Sequence, residues 1–354
     1  MGRPGTTDSM MLPRAPANSP VPPMTATPWF RPPTTSTCTV PTARPTGSLA
    51  KTAKRLDLSG LVCVPLPGMR AAQLIVFGIV TGSFLLLATM GFALARQVEG
   101  FLNIAHAQYM AVAAFTAWYL NVELGWHFLI AAPVAVAFTA VVALVVARLF
   151  YDPIKEHGPL VLLITSVGVV FVLAGFIDAI FGGGTRKYDI PRPESYTFWE
   201  LRVTNYQLIV VGLALATTVS LASFLNKTNT GLTIRAMAIN RELAASRAVN
   251  IKAASRAMWL VSGALAGVAG VVLAVLGTLT PELAFDQFLT ILAVAILAGL
   301  GSLYSVSIAA LIIGVSMDLS LLLIPGGWRP VIPFAIVIIV LVLRPTGLGR
   351  AEAT

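Results

Sequence analysis

The sequence predicts an all-α polytopic membrane protein of about eight or nine transmembrane helices, some broken, with a disordered N-terminal tail. Three observations carry this. The chain is 56% hydrophobic and only 11% charged, where a soluble domain carries roughly 25% charged residues. The apolar excess comes in separate runs of about 20 residues, the length that crosses a hydrocarbon layer roughly 30 Å thick. Those runs do not alternate apolar and polar residues, which excludes a transmembrane β-barrel.

The elements follow in order. Residues 1–68 are rich in Pro, Thr, Ser and Ala. They have no helical period and too little apolar area to fold, so they read as a disordered extension. No apolar run of signal-peptide type precedes a cleavage site there. The first span runs from about Gln73 to Ala95, and its Gly78 and Gly82 form a small-xxx-small pair that lets helices approach closely. The second run, 101–120, carries Asn103, His106 and Gln108 at its start. If it is helical throughout, Asn103 and His106 share a face. The third and fourth runs, His127 to Phe150 and Pro159 to Phe181, flank a short polar turn, and the fourth closes on Gly182. The fifth runs from Tyr206 to Leu225 and the sixth from Met258 to Thr280. In the sixth, Gly263, Gly267 and Gly270 lie near one face and point to tight packing on a neighbour. Gln287 to Leu323 would reach about 55 Å as one helix, so it divides into two spans at Gly299-Leu-Gly-Ser302. Trp328 to Leu343 is the last.

Between the fifth and sixth runs lies a basic segment, 226–257. It holds six cations, Lys227, Arg235, Arg241, Arg247, Lys252 and Arg256, against one acid, Glu242. The loop 182–204 holds four cations and three acids. Positive charge marks the cytoplasmic side, so 226–257 is expected inside and 182–204 outside. Counting back puts the N-terminus outside, against Lys51, Lys54, Arg55 and Arg70; either the tail is exported or 101–120 does not cross fully. An alanine-rich helix is expected over 236–249, with Ile239 and Leu243 at i, i+4. Such a helix suits the groove of a partner subunit; the other reading is a solvated helix whose cations touch lipid phosphate.

No catalytic constellation is visible. His106, His127 and His157 stand far apart, and HExxH, GxSxG, CxxC and the phosphate-binding GxxxxGK[ST] pattern are all missing. No cofactor or metal is expected. If ATP drives this protein, another chain hydrolyses it. The net charge of +9 comes with no basic stripe of interleaved aromatics, which argues against nucleic acid as a partner and for membrane lipid. Asn103, His106 and Gln108 either line a translocation path or hold helices together by hydrogen bonds. Asp178 and Asp318 are end residues, solvated or paired, or else substrate contacts.

Several motifs in order now carry a family resemblance over about Gly78 to Gly349. Asn103-Ile-Ala-His106-Ala-Gln108 resembles the NFAHGE signature of the inner-membrane permeases of branched-chain amino acid ABC importers, of the LIV-H type. Gly231-Leu-Thr-Ile-Arg235-Ala236-Met-Ala-Ile-Asn240 resembles that family's GxxxRAxAxD/N coupling loop. Val249-Asn250, Gly263-Ala-Leu-Ala-Gly-Val-Ala-Gly270, Gly299-Leu-Gly-Ser302 and Arg344-Pro-Thr-Gly-Leu348 match further motifs. The chain departs from the pattern at Ala107-Gln108, where the family has Gly-Glu, and at Ala248 and Ala298, where it has Gly.

The resemblance implies a multi-pass protein of the cell (inner) membrane with a permease domain over 69–350. It implies a second permease subunit of the LIV-M type, two cytoplasmic ATPase subunits and an extracytoplasmic solute-binding protein as partners. Gly231, Arg235, Ala236, Asn240, Arg241, Glu242 and Arg247 would form the ATPase-coupling loop, and the solute would be a branched-chain amino acid or a related small polar molecule. A stand-alone secondary transporter or channel is the alternative, and would call for inverted repeats and a buried ion-coupling carboxylate.

Translation from Met1 and translation from Met69 give different intact masses. Mass spectrometry of the purified protein is expected to find the extension attached; a mass starting at Met69 would remove it.

Overall fold

The computed structural model describes residues 67–343, apart from 192, 199–200, 247–249 and 300–302. The extension expected over 1–68 lies outside the described residues up to 66, as do Arg247, most of the Gly-Leu-Gly-Ser motif and the Arg-Pro-Thr-Gly motif.

Eleven helices and one hairpin follow one another among the described residues: α1 (Pro67–Glu99), α2 (His106–Trp118), α3 (Phe128–Val146), α4 (Pro159–Phe181), β1 (Ser195–Phe198), β2 (Leu201–Thr204), α5 (Asn205–Lys227), α6 (Asn229–Ile239), α7 (Arg241–Ser246), α8 (Ile251–Leu276), α9 (Leu283–Ala298), α10 (Leu303–Leu319) and α11 (Ile332–Leu343). A π-turn at Tyr119–Glu123 prolongs α2, and a π-turn at Ala147–Tyr151 with a 3-10 turn at Asp152–His157 prolongs α3. A 3-10 turn at Gly326–Val331 leads into α11. Seven of these segments are long and apolar enough to cross a bilayer, and α9 is shorter. The all-α polytopic expectation holds.

The helices sort into a centre and a rim. α2 is buried along almost its whole length, and α1 and α8 are the most enclosed of the long spans, whereas α4, α5 and α11 turn most of their residues outward. The outward residues are large and apolar: Phe171 and Phe176 on α4, Leu215 and Val219 on α5, Ile338 and Val342 on α11. A soluble core would hide these; a bilayer solvates them.

Between apolar helices in lipid there is no hydrophobic drive to associate, so close backbone contact has to supply the attraction. Gly78 and Gly82 on α1 face α10, where an added Cβ at Gly78 would lie 2.6 Å from Val315 Cα and one at Gly82 3.0 Å from Leu311 Cα. Gly314 of α10 meets Gly82 from the other side, a partner the sequence reading did not select. The α8 glycines serve two neighbours rather than one. Gly263 and Gly267 pack on Ala143 and Val136 of α3, while Gly270 abuts the Met110 carbonyl of α2.

The two ends of the bundle are set by side-chain bonds. At one end the Gln73 amide bonds twice to the Arg202 backbone of β2, at 2.7 and 2.9 Å. At the other, Glu99 meets Arg241 of α7. The start of α1 therefore lies with the 182–204 loop, opposite 226–257. The short second run also reaches from one end of the bundle to the other. Asn103, just before it, sits against Tyr151 at the α7 end, while Asn121 in its π-turn accepts a bond from the Asp189 amide near the hairpin.

Three local expectations change. Residues 101–105 are not helical, so Asn103 precedes α2 instead of sharing a face with His106. Gly100 explains this: its φ of +78° ends α1 and turns the chain, a conformation open to glycine. The loop 182–204 contains a hairpin, with Ser195 opposite Thr204 and Phe198 opposite Leu201; outside the bilayer, two short strands satisfy each other's backbone. The helix expected over 236–249 is two helices. Asn240 is extended, and its side chain accepts a bond from the Leu243 amide at 3.0 Å. An Asn that caps the next helix competes with continuation of the first. At the break predicted between Gln287 and Leu323, Gly299 takes a φ of +70° and ends α9.

Gly270→Ala is expected to destabilise the detergent-purified protein by about 1–3 kcal/mol, because backbone cannot yield to the new methyl. Gly168→Ala on the outward face of α4, with open space around it, is expected to leave the melting temperature unchanged or slightly higher; thermal unfolding of the two variants checks both.

Candidate functional site

The site is built from the segment that joins α5 to α8. Thr228 starts it: its hydroxyl donates to the Phe224 carbonyl at 2.7 Å and accepts from the Gly231 amide at 3.0 Å. This folds the beginning of α6 back onto the end of α5. Gly231 is required by that approach, since a Cβ there would overlap the Phe224 carbonyl and come within 2.6 Å of Leu225 Cα. α6 then buries Gly231, Ile234 and Met237. Its other side presents Leu232, Arg235, Ala236 and Ile239 outward, with Ile239 80% exposed. Arg235 donates to the Asn226 side chain at 2.5 Å, which orients the guanidinium along the outward side. Glu242 lies on α7.

Below this segment sits a buried carboxylate. Glu99, the last residue of α1, has a side chain with no exposed surface. Lys155 Nζ approaches Oε2 at 2.6 Å and Arg241 Nη1 approaches the same oxygen at 3.1 Å. Ser255 Oγ donates to Oε1 at 2.5 Å. Four elements thus meet at one group: α1, the turn after α3, α7 and the start of α8. An unpaired carboxylate out of water would be strongly unfavourable, and the two cations remove that cost. Lys155 is also shared with the exposed Asp152 at 3.2 Å.

The polar trio sits deeper. Asn103, His106 and Gln108 are 1%, 0% and 3% exposed. The Tyr151 hydroxyl donates to Asn103 Oδ1 at 2.9 Å. His106 Nε2 lies 3.0 Å from the Ala88 carbonyl, which places the ring proton on Nε2 and leaves Nδ1 as an acceptor. Gly91 makes room for the ring, since a Cβ there would lie 2.9 Å from His106 Cε1. Phe92 and Tyr109 close on it edge-on, at 5.9 and 6.5 Å between centroids. These contacts lie between helices, and no open surface reaches the trio. It is linked to the Glu99 cluster through one turn, because Tyr151 and Lys155 are four residues apart. Trp259 of α8 stacks on Tyr151 at 5.3 Å and completes the link.

Among the residues selected from sequence, the structure brings Arg241 to Glu99 and sets Gly231, Arg235, Ala236 and Asn240 on one segment. Asn103, His106 and Gln108 stay in the core, apart from that segment. Glu99, Lys155 and Ser255 were missed. Read locally, Glu99 belongs to a polar link after a span, and no spacing rule connects it to a partner 142 or 156 positions away. At the hairpin end, Asp318 is a paired residue: Arg329 Nη2 lies 2.5 Å away and the Thr81 hydroxyl donates to it at 2.7 Å.

Comparison with known proteins places this arrangement. Residues 74–341 match the family model described as branched-chain amino acid transport system / permease component. The high-affinity branched-chain amino acid transport system permease protein LivH of Escherichia coli is 24% identical over 294 residues, covering 78% of this chain and 94% of that protein. The corresponding protein BraD of Pseudomonas aeruginosa is 24% identical over 297 residues, covering 79% and 96%. A probable LivH of Methanocaldococcus jannaschii is 26% identical over 289 residues, covering 77% and 91%. A solved chain of PsaBC from Streptococcus pneumoniae in complex with Fab aligns over 79% of this chain and 92% of that one, at 16% identity and a TM-score of 0.40, too distant to carry an argument. With the family matched across most of its length and its apolar helices ready to cross a bilayer, this chain is a multi-pass membrane protein and belongs to the family of branched-chain amino acid transport system permease components.

Proposed function

We propose that this chain is the membrane-spanning subunit of an ATP-binding-cassette importer for branched-chain amino acids or related small polar solutes, powered by separate ATPase subunits. The observation that carries this is the segment between α5 and α8. It offers an outward side with Leu232, Arg235 and Ile239, and it is joined to the bundle through Arg241 and Glu99. An ATPase bound to that side has a mechanical route to α1, α3 and α8 at once. It drives the cycle only so far as it binds the two conformations of the bundle with different affinity.

On this reading 226–257 is the cytoplasmic coupling loop of a permease domain over 69–350. The chain pairs with a second permease subunit of the LIV-M type and receives solute from an extracytoplasmic binding protein. Asn103 and His106 act by holding the start of α2 against α1 and the end of the third segment as these move, since their bonds run to Tyr151 and Ala88, and Gln108 is buried beside them. A stand-alone secondary transporter would use a buried carboxylate to couple an ion. Among the described residues the two buried acids, Glu99 and Asp318, are each matched by cations, which supports the importer.

Charge reversal at Arg235 together with Arg241 is expected to leave membrane insertion intact and to abolish uptake, measured as radiolabelled leucine accumulated by cells. Ile239→Cys, in a chain whose native Cys38 and Cys63 are replaced by serine, is expected to react with an impermeant maleimide in inverted membrane vesicles and to stay unlabelled on intact cells. Labelling from outside would overturn the assignment.

A further inference from the structure

Glu99 holds two cations of different standing. Lys155 belongs to the scaffold, at the end of the long third segment, and is the closer at 2.6 Å. Ser255, also scaffold, holds the other oxygen. Arg241 comes from α7, a helix of six residues set off from α6 by the extended Asn240. Its main neighbour is α6, with Ala244 pressed into the core. Arg241 is 38% exposed at the side chain, against 21% for Lys155.

The energetics of these two partners differ. Removing the only cation from a buried carboxylate leaves an uncompensated charge, which is strongly unfavourable. Here Arg241 can withdraw while Lys155 and Ser255 still satisfy Glu99. α7 can therefore leave and return without stranding a charge. Were Lys155 missing, Arg241 would be the sole counter-ion and withdrawal would be opposed.

We infer that Glu99 is the receptor that positions the 226–257 segment on the bundle, and that Lys155 is the residue that makes this grip reversible; both are positioning residues of the transport cycle. The transport part rests on the importer reading above. The grip itself does not, because it lies within one chain.

The test uses amide hydrogen exchange over 236–246 in the full chain purified in detergent, together with uptake in cells. Arg241→Gln is expected to speed exchange of the α7 amides about tenfold or more, as local opening is freed. Lys155→Met is expected to slow it by a similar factor of about ten, since the remaining pair is harder to break, and to lower uptake at least as far. Lys155→Arg should restore both readings, and Arg148→Gln, an exposed cation at the same end, should change neither. If Lys155→Met fails to fold, Glu99→Gln replaces it: release of the segment, with faster exchange like that of Arg241→Gln, supports the receptor role. Unchanged exchange in Arg241→Gln, or parental uptake in a folded Lys155→Met, overturns the inference. If uptake by the unmodified protein proves independent of ATP, the importer reading fails while the exchange results stand.

Discussion

A carboxylate without exposed surface has to be matched by positive charge, and in this protein that requirement organises one whole end of the bundle. Glu99 closes α1, and satisfying it draws in the turn after α3, the first turn of α8 and the small helix α7. Hydrophobic force is weak between helices in lipid, so the ion pairs weigh heavily in that placement beside the buried apolar residues Val98, Tyr151, Ala244 and Ala254. The ion pairs supply direction as well as attraction. They place Lys155 so that its neighbour Tyr151 meets Asn103, and they seat α7 against the end of α1.

The rest of the bundle is held by proximity. Glycines on α1 and α8 let backbones come within contact distance of α10, α3 and α2, where many small dispersion terms add. That leaves α4, α5 and α11 at the rim with large apolar side chains turned to lipid. The division has a mechanical sense: a tightly packed centre transmits displacement, and a loosely attached rim accommodates it.

Where helices break, the backbone groups are recovered locally. Gly100 and Gly299 end helices with positive φ, while Thr228, Asn240 and Asn250 accept amide bonds with their side chains. Each break therefore costs little, and each creates a joint. The joint at Asn240 is the one that separates the outward side of α6 from the Arg241 anchor. It sets the exposed Ile239 on a different helix from Arg241, so the outward side and the bundle contact belong to two pieces.

Much of this was legible in the amino-acid order. The apolar runs, the break at Gly299, the close-packing glycines and the basic segment all depend on composition within about one helical span, which is the range over which a bilayer acts on a chain. The Asn240 break was missed because alanine-rich neighbours favour helix and a cap shows only once the following helix is known. The hairpin was missed because four-residue strands leave almost no pattern. The Glu99 cluster was invisible for a different reason: charge pairing depends on distance in space, and its members stand far apart along the chain. By itself, then, the sequence determined that the chain spans a membrane and where its long apolar helices run, because hydrocarbon thickness is read locally. Only the tertiary structure decided which acid holds Arg241 and its helix, because a buried charge takes whatever counter-ion the fold brings within about 4 Å.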